Sequence, residues 1–301
     1  MSTRSPRRLV LATRRSQLAL IQSEIVARAL RARFVGIEVQ LLPLVTAGDQ
    51  NPNLPLAGRD GKGLFTRDLE SALLSGEADI AVHSLKDLPT ELSEGLLLAA
   101  TVERADPRDG LVGCRLDDLG SGAVVGTDSP RRSRQLGRLR PSARFESIRG
   151  NVQTRMQKVE QGEYAAAVLA VCGLQRMGLA SYIKQVLEPS ECLSAPGQGA
   201  IALETSSDGP AADLAAAVNH EATWLAVRAE RAFSRSFGFG CALPVGALAE
   251  VSHDQLHLWG LVAGDQRLIR MDAEGSVVDP EAVGSLLAER VLAAGGTDLL
   301  R

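Results

Sequence analysis

An internal repeat is the feature that most constrains the fold of this chain. The segment SGEADIAVHSLKDL at 75–88 aligns without gaps with QGEYAAAVLAVCGL at 161–174. Each copy follows a helical stretch and contains a short apolar run typical of a buried strand. The repeat therefore predicts two lobes of similar α/β construction. Because Gly173 takes the place of Asp87, the shared scaffold does not itself require a carboxylate there.

Strands and helices alternate around both copies of the repeat. The first strand, RLVLA, precedes a helix that Ser16 is placed to cap, and Ser129 and Asn151 are placed to cap two later helices. The apolar face predicted for the first helix consists of Leu18, Ile21, Ile25 and Ala29. Such alternation predicts mainly parallel sheets covered on both faces, with ligands beyond the carboxyl ends of the strands. Asp87, Arg131 and Arg149 would lie at that edge.

The last third of the chain has a different pattern. A long helix through LAVRAERAF is followed by three strand-like segments and by a helix after Pro280. This order predicts a small α+β domain.

Composition excludes several classes of protein. The 301 residues carry a net charge of -3 and only 3% aromatic side chains, so no global attraction to nucleic acid is expected. No apolar run approaches the roughly 20 residues that span a bilayer, and the start lacks the apolar core of a signal peptide. We expect a cytoplasmic protein.

Four scattered cysteines without a C-x-x-C pair predict neither a zinc site nor a disulfide framework.

A basic segment stands out against this average. Between 128 and 155, eight arginines face only Asp128 and Glu146, a net charge of +6. Arginine forks bind carboxylates and phosphates through paired hydrogen bonds, so a bound polyanion is one interpretation. A solvated helix face is the other, above all for Arg134, Arg138, Arg140 and Arg144. RNA binding would also use such a patch, but no recognition motif accompanies it.

Three further candidates have open interpretations. Asp87 beside Lys86 is either a surface pair or a cleft carboxylate that stabilises positive charge or moves protons. Lys62, in a loop at 47–63 typical of a lid, either reaches an anionic ligand or is simply exposed. Since Gly63 follows Lys62, the loop is not a nucleotide-binding P-loop. Cys241 is either an inert buried thiol or an attachment site in a glycine-flanked loop.

Eight segments in this order resemble the porphobilinogen deaminase family, also called hydroxymethylbilane synthases, over essentially the whole chain. They are ATRRSQLALIQ, GKGLF, DIAVHSLKDLP, DPRD, VGTDSPRR, IRGNVQTR, GQGA and AERAF…GCALPVGA. The resemblance implies two periplasmic-binding-protein-like α/β lobes around a cleft, plus a small α+β C-terminal domain. The domains expected from it are 1–102 with 197–218, then 103–196, and finally 219–301. It also implies a dipyrromethane cofactor attached to Cys241 by a thioether.

The resemblance further implies the chemistry. Each porphobilinogen would lose ammonia to give an azafulvene electrophile, which the terminal pyrrole of the dipyrromethane attacks. Asp87 would stabilise the cationic intermediates, and after four additions water would release hydroxymethylbilane. Every pyrrole carries an acetate and a propionate, so the growing chain accumulates carboxylates. The implied partners are porphobilinogen and the growing polypyrrole, with no metal, nucleic acid or membrane, and the chain is expected to be a monomer.

The family pattern assigns binding residues by position. The implied cofactor ligands besides Cys241 are Ser84, Lys86, Thr127, Ser129, Arg131, Arg132, Arg149, Asn151 and Arg155. The implied substrate ligands are Arg14, Ser16, Gln22, Lys62, Arg176 and Gln198. Several residues depart from the pattern, among them Asp128, which stands where serine is common, and Phe239, which replaces a glycine before Cys241. From the duplicated lobes alone, a non-catalytic binding protein for a small carboxylate is the alternative.

Overall fold

Thirteen strands and nine α-helices make up the part of the chain that the computed structural model describes, residues 8–50, 66–238 and 243–300. The strands are β1 Arg8–Arg14, β2 Glu38–Leu44, β3 Ile80–Ser84, β4 Leu96–Thr101, β5 Asp109–Val112, β6 Val124–Gly126, β7 Arg144–Glu146, β8 Ala166–Ala170, β9 Ile183–Val186, β10 Ile201–Ser206, β11 Val245–Ser252, β12 Gln255–Ala263 and β13 Leu268–Ser276. The helices are α1 Gln17–Arg33, α2 Ala47–Gln50, α3 Arg67–Leu74, α4 Pro130–Leu139, α5 Val152–Glu160, α6 Val171–Arg176, α7 Ala211–Ala216, α8 Glu221–Arg235 and α9 Pro280–Ala293. Most of the predicted lid lies outside the described residues.

Two five-stranded sheets of the same design form the first two lobes. The order is β2-β1-β3-β10-β4 in the first sheet and β7-β6-β8-β5-β9 in the second. In each, the first three strands are parallel and the fourth is antiparallel to both of its neighbours. The predicted class is confirmed, with one antiparallel strand in each sheet as a refinement.

The antiparallel strands have a common cause. β10 arrives from the second lobe, and its first residue, Ile201, pairs with Ser84 at the carboxyl end of β3. β5 arrives from the first lobe, and Asp109 pairs with Ala170 at the carboxyl end of β8. A chain that crosses between the lobes therefore enters each sheet at the carboxyl ends of its parallel strands. The strand that it forms there must run antiparallel to them.

The gapless repeat is confirmed in three dimensions. β3 and β8 occupy aligned positions, and each leads directly into a helical turn, Leu85–Asp87 in one lobe and α6 in the other. A Cβ placed on Gly173 would lie 3.7 Å from Leu18 Cδ2 of α1. The position that carries Asp87 in the first lobe thus serves as a contact between lobes in the second.

The buried face of α1 differs from the prediction by one position. The buried residues are Ala19, Gln22, Ser23, Val26, Ala27 and Leu30, whereas the predicted apolar set is only half-buried. Two surfaces compete for this helix, because it packs on the first sheet and also contacts α6 of the second lobe. Val26, Ala27 and Leu30 therefore pack on the first sheet, and Leu18 faces the other lobe.

The C-terminal part is a small α+β domain, as predicted. β11, β12 and β13 form an antiparallel meander, and α8 and α9 pack together against it. Its core is built around Phe233, Leu258 and Leu287, all fully buried. Within the described ranges, no helix is long and apolar enough to cross a bilayer.

Candidate active site

Asp87 lies where the first sheet opens towards the second lobe. Buried β3 ends at Ser84, and the Leu85–Asp87 turn follows at once. Leu85 is buried, and its N–H donates to the Ala200 carbonyl at 3.1 Å. With Leu85 anchored inside, Lys86 and Asp87 are left half-buried at the edge of the sheet. The segment is a strand end that opens into a crevice rather than a surface turn.

A pocket beside Asp87 gathers four of the predicted substrate and cofactor ligands. They are Arg14, Ser16, Gln22 and Ser84. Ser16 caps α1 as predicted, since its Oγ accepts from the Ala19 N–H at 3.3 Å. Gln22 Nε2 lies 2.9 Å from Ser84 Oγ, which ties α1 to the end of β3.

His83 also lines this pocket, and sequence reasoning gave it no role. It is buried, and its Nε2 lies 2.9 Å from Oε2 of the fully buried Glu204. The partner comes from β10, 121 residues away in the chain. Only the position of His83 at the end of a buried strand could have indicated its place next to the site.

A buried glutamine links the Asp87 turn to the second lobe. Lys86 Nζ lies 3.2 Å from Gln198 Oε1. Gln198 Nε2 in turn donates to the Pro107 carbonyl at 2.7 Å and to Asp109 Oδ1 at 2.8 Å. Gln198 is fully buried, so the structure places this predicted substrate ligand beneath the crevice.

Asp109, a residue to which the sequence analysis gave no role, organises two of the predicted arginines. Its carboxylate is fully buried and lies 2.8 Å from Arg131 Nη1 and 2.6 Å from Arg132 Nη2. Burial would raise the pKa of Asp109, but the two guanidinium groups hold that pKa well below its usual range. Arg131 and Arg132 are themselves buried, and further N–H groups donate to the Leu193 and Val168 carbonyls. In this conformation their bonds go to protein atoms.

The second wall of the crevice begins at the carboxyl end of β6. Thr127 is buried, and its Oγ1 accepts from the Ser129 N–H at 3.2 Å. Ser129 stands at the start of α4, but among the described residues its side chain makes no capping hydrogen bond, so its predicted capping role is wrong. Pro130, which has no N–H, already reduces the need for a cap there. Asn151 does cap α5, accepting from the Thr154 N–H at 2.9 Å.

Arg149 and Arg155 share one carboxylate on this wall. Asp128 Oδ1 lies 3.4 Å from Arg149 Nε, and Oδ2 lies 3.4 Å from Arg155 Nη2. The pKa of Arg155 is lowered, above all by burial and further by the nearby charges of Arg132 and Arg149. The carboxylates of Asp128 and Asp87 act in the opposite direction and raise it. The carboxylate of Asp87 therefore acts on a cation of the opposite lobe. Together these groups face a crevice between the carboxyl ends of β1 and β3 and those of β6 and β7.

Arg176 stands at the end of α6 and contacts the connection between the lobes. Its Nη2 donates to the Gly199 carbonyl at 2.7 Å, and burial lowers its pKa. Across the crevice, Gln153 of α5 hydrogen-bonds Gln17 of α1. The lobes are thus in contact at the rim of the site.

The remaining arginines of the basic segment have other uses. Arg134 pairs with Asp265 at 2.8 Å and donates to the Ala263 carbonyl at 2.8 Å, which joins α4 to the C-terminal domain. Arg140 pairs with Asp117 beyond the far end of α4. Arg138 and Arg144 are exposed, as the solvated-face interpretation predicted.

Two of the predicted site residues, Lys62 and Cys241, lie outside the described residues, as does Phe239. Where side chains are described, no group of three or more His, Cys, Asp or Glu residues is arranged to hold a metal ion.

Comparisons with known proteins agree with this architecture. Residues 9–213 match the family model described as porphobilinogen deaminase, dipyromethane cofactor binding domain, and residues 224–293 match porphobilinogen deaminase, C-terminal domain. A porphobilinogen deaminase of Stenotrophomonas maltophilia is 47% identical over 296 residues, covering 96% of this chain and 98% of that protein. One of Methylobacillus flagellatus is 41% identical over 302 residues, covering 98% and 97%.

Solved structures that align with part of the chain include the methionine binding protein MetQ, with a TM-score of 0.45 and 12% identity over 71% of this chain and 90% of that one. The VFT2 domain of Bordetella pertussis BvgS aligns with a TM-score of 0.41 and 17% identity over 71% of this chain and 87% of its own. Both family models and the near-complete relatives lead to one conclusion. The chain is an enzyme that belongs to the porphobilinogen deaminase family.

Proposed function

We propose that this chain polymerises four porphobilinogen molecules with loss of ammonia on a covalently bound dipyrromethane, and then releases hydroxymethylbilane by hydrolysis. The observation that carries this proposal is the crevice itself. The carboxylate of Asp87 faces cationic side chains of the opposite lobe and lies within electrostatic range of Arg155. This arrangement suits an acidic ligand on which positive charge develops during the reaction.

The side chains of the crevice fit the dipyrromethane. Guanidinium and ammonium groups recognise its carboxylates, while hydroxyl and amide groups complete the contacts. We assign the cofactor to Ser84, Lys86, Thr127, Ser129, Arg149, Asn151 and Arg155, with Cys241 as the attachment site. When bound, the dipyrromethane supplies the nucleophilic pyrrole carbon to which substrate is added. Arg131 and Arg132 are buried against Asp109. We therefore assign them an electrostatic effect on the cofactor from beneath the crevice.

The pocket beside Asp87 is the substrate side of this proposal. Arg14 and Arg176 would attract the substrate carboxylates, and Ser16 and Gln22 would complete the hydrogen bonds. Lys62 joins them by its place in the family pattern. Gln198 acts differently: because it is buried between Lys86 and Asp109, we assign it the role of positioning Lys86.

Asp87 is the catalytic residue of the proposal. Its carboxylate would accept hydrogen bonds from pyrrole N–H groups and stabilise the positive charge that develops on the substrate ring when ammonia leaves. The turn is fixed by buried Leu85, so the carboxylate is held in place before substrate binds.

Three coarser assignments accompany this function. We propose domains at 1–102 with 197–218, 103–196 and 219–301, supported by the membership of β10 in the first sheet. We propose a monomer, since one chain supplies both walls of the crevice. We propose a cytoplasmic enzyme, because Cys114, Cys172 and Cys192 are free thiols, which suits a reducing compartment.

Mass spectrometry of the intact protein tests the function. Protein purified from cells that make porphobilinogen should exceed its sequence mass by one dipyrromethane and should colour with Ehrlich's reagent. Cys241→Ser should fold but lack both signals. An unmodified wild-type chain that binds a small carboxylate without turnover would instead support a two-lobed binding protein.

A further inference from the structure

Asp128 is an unexpected residue in a crevice that is proposed to bind carboxylates. It follows β6 and lies between two arginines of the same wall, 3.4 Å from Arg149 Nε and 3.4 Å from Arg155 Nη2. Its side chain is only 11% exposed, less than that of Arg149 at 37% or Arg155 at 21%. A carboxylate of the protein thus occupies the position in which an acidic ligand would meet these two cations.

The pairing between Asp128 and the two arginines is loose. Both contacts lie beyond the usual 2.7–2.9 Å of a charge-assisted hydrogen bond. Ser147 donates a hydrogen bond to the same carboxylate. Two guanidinium groups share one carboxylate, so the trio keeps a net charge of +1. The trio therefore still attracts an anion, but less strongly than two arginines alone would.

Asp128 also has a clear effect on the cations around it. Burial disfavours the charged form of Arg155, and the neighbouring charges of Arg132 and Arg149 disfavour it further. Among the described groups, Asp128 and Asp87 oppose these effects. Before a ligand binds, Asp128 thus supplies part of the negative charge that these arginines require.

We propose that Asp128 is a built-in counter-carboxylate that weakens the binding of ligand carboxylates at Arg149 and Arg155. The inference rests on the proposed function only in naming that ligand as an acidic pyrrole. A chain that gains an acetate and a propionate with every addition would bind ever more tightly to unopposed arginines. A fixed negative charge at this point limits that gain and favours movement and release of the product.

The test compares anion binding by full-length Asp128→Asn and wild-type protein, with Cys241→Ser in every chain so that no dipyrromethane occupies Arg149 and Arg155. Citrate is the probe, because it carries several carboxylates and does not react. Calorimetric titration should show a dissociation constant about fivefold lower for Asp128→Asn, the factor expected for one partly exposed charge pair. The dependence of log Kd on log salt should also become steeper. A second variant, Asp128→Ser, should behave in the same way.

Asp117→Asn is the matched control. It removes the same charge from the same lobe, but Asp117 pairs with Arg140 beyond the far end of α4, about 15 Å along that helix from the crevice. Its citrate affinity should equal that of wild type. In an Arg155→Gln background, Asp128→Asn should give a much smaller gain, because one of the two cations is gone.

Each outcome decides the inference. Unchanged or weaker citrate binding by folded Asp128→Asn, checked by circular dichroism, would overturn it and would instead make Asp128 a residue that orients the arginines. If wild type carries dipyrromethane and turns over but the variant binds citrate no more tightly, only this inference fails. If wild type carries no dipyrromethane while the variant binds citrate more tightly, the proposed function fails and Asp128 remains a counter-carboxylate.

Discussion

Single residues in this protein divide into those that face the crevice and those that hold others in place beneath it. Asp87 belongs to the first group, since it is half-buried and acts on Arg155 across the crevice. Asp109 belongs to the second, since it is fully buried and its partners are Arg131, Arg132 and Gln198. Neutralising Asp87 should therefore lower turnover, whereas neutralising Asp109 should lower the free energy of unfolding.

Asp87→Asn tests the first group. The amide keeps the shape but loses the charge that opposes a developing cation, so turnover should fall by a factor on the order of 10²–10³. Thermal unfolding and the dipyrromethane mass should remain those of wild type. Glu94→Gln is the control, because Glu94 is exposed next to the amino end of β4, at the opposite edge of the sheet. Undiminished turnover in Asp87→Asn would remove Asp87 from its catalytic role.

Asp109→Asn tests the second group. Removing one partner of a buried charge cluster leaves uncompensated guanidinium groups, so the free energy of unfolding should fall by about 3–5 kcal/mol. The folded pKa of Asp109 is lowered from 3.8, so its contribution is complete above that pH and is lost as the pH falls towards the folded pKa. Urea unfolding from pH 7 to pH 3 should show the wild-type advantage constant above about pH 4 and shrinking below it. A constant difference down to pH 3 would contradict this assignment.

At the scale of elements, the short turn after β3 depends on the segment that crosses over it. Gly197 has a φ of 72°, and a Cβ built on it would lie 2.8 Å from Leu85 Cγ. A side chain at this position would push on the residue that anchors Lys86 and Asp87. Backbone from the connection between lobes thus shapes the turn that carries Asp87 in the first lobe.

Gly197→Ala tests that dependence against Gly178→Ala. Gly178 has the same φ of 72°, but a Cβ added there would meet no atom within 4 Å, so this variant isolates the backbone penalty of about 1 kcal/mol. Gly197→Ala should cost a further 1–3 kcal/mol, roughly, from overpacking, and it should also lower turnover. Chemical unfolding and steady-state assays measure the two effects. Equal losses of stability and equal turnover in the two variants would show that Leu85 moves aside without displacing the turn.

The whole molecule is joined at one buried glutamate. Glu230 of α8 is fully buried and pairs with Arg104 of the first connection at 2.5 Å. It also accepts from the Gly197 N–H at 2.6 Å and from the Ala249 N–H of β11 at 2.8 Å. Both connections between the lobes and the sheet of the C-terminal domain therefore meet at a single carboxylate.

Glu230→Gln should uncouple these parts. Loss of the charge leaves Arg104 unpaired in a nearly buried position, and the free energy of unfolding should fall by about 3–5 kcal/mol. Limited proteolysis should then cut near the connections sooner than in wild type. Glu281→Gln is the control, because it breaks a pair with Arg228, which lies on α8 like Glu230. That pair is about one-third exposed and should contribute less than about 1 kcal/mol. Matching losses in both variants would argue against a joining role for Glu230.

Much of the local structure follows from the amino-acid sequence alone, because that information resides in short patterns. The predicted strand segments, the caps Ser16 and Asn151 and the gapless repeat all reappear in the structure, whereas the buried face of α1 does not follow its apolar periodicity. The motif order was also sufficient to indicate the family. Only the tertiary structure decided that Gln198, Arg131 and Arg132 lie beneath the crevice, and that Asp109, His83 and Asp128 have the partners they do. Those facts depend on charges brought together from distant parts of the chain in a low-dielectric interior, and no local pattern encodes such meetings.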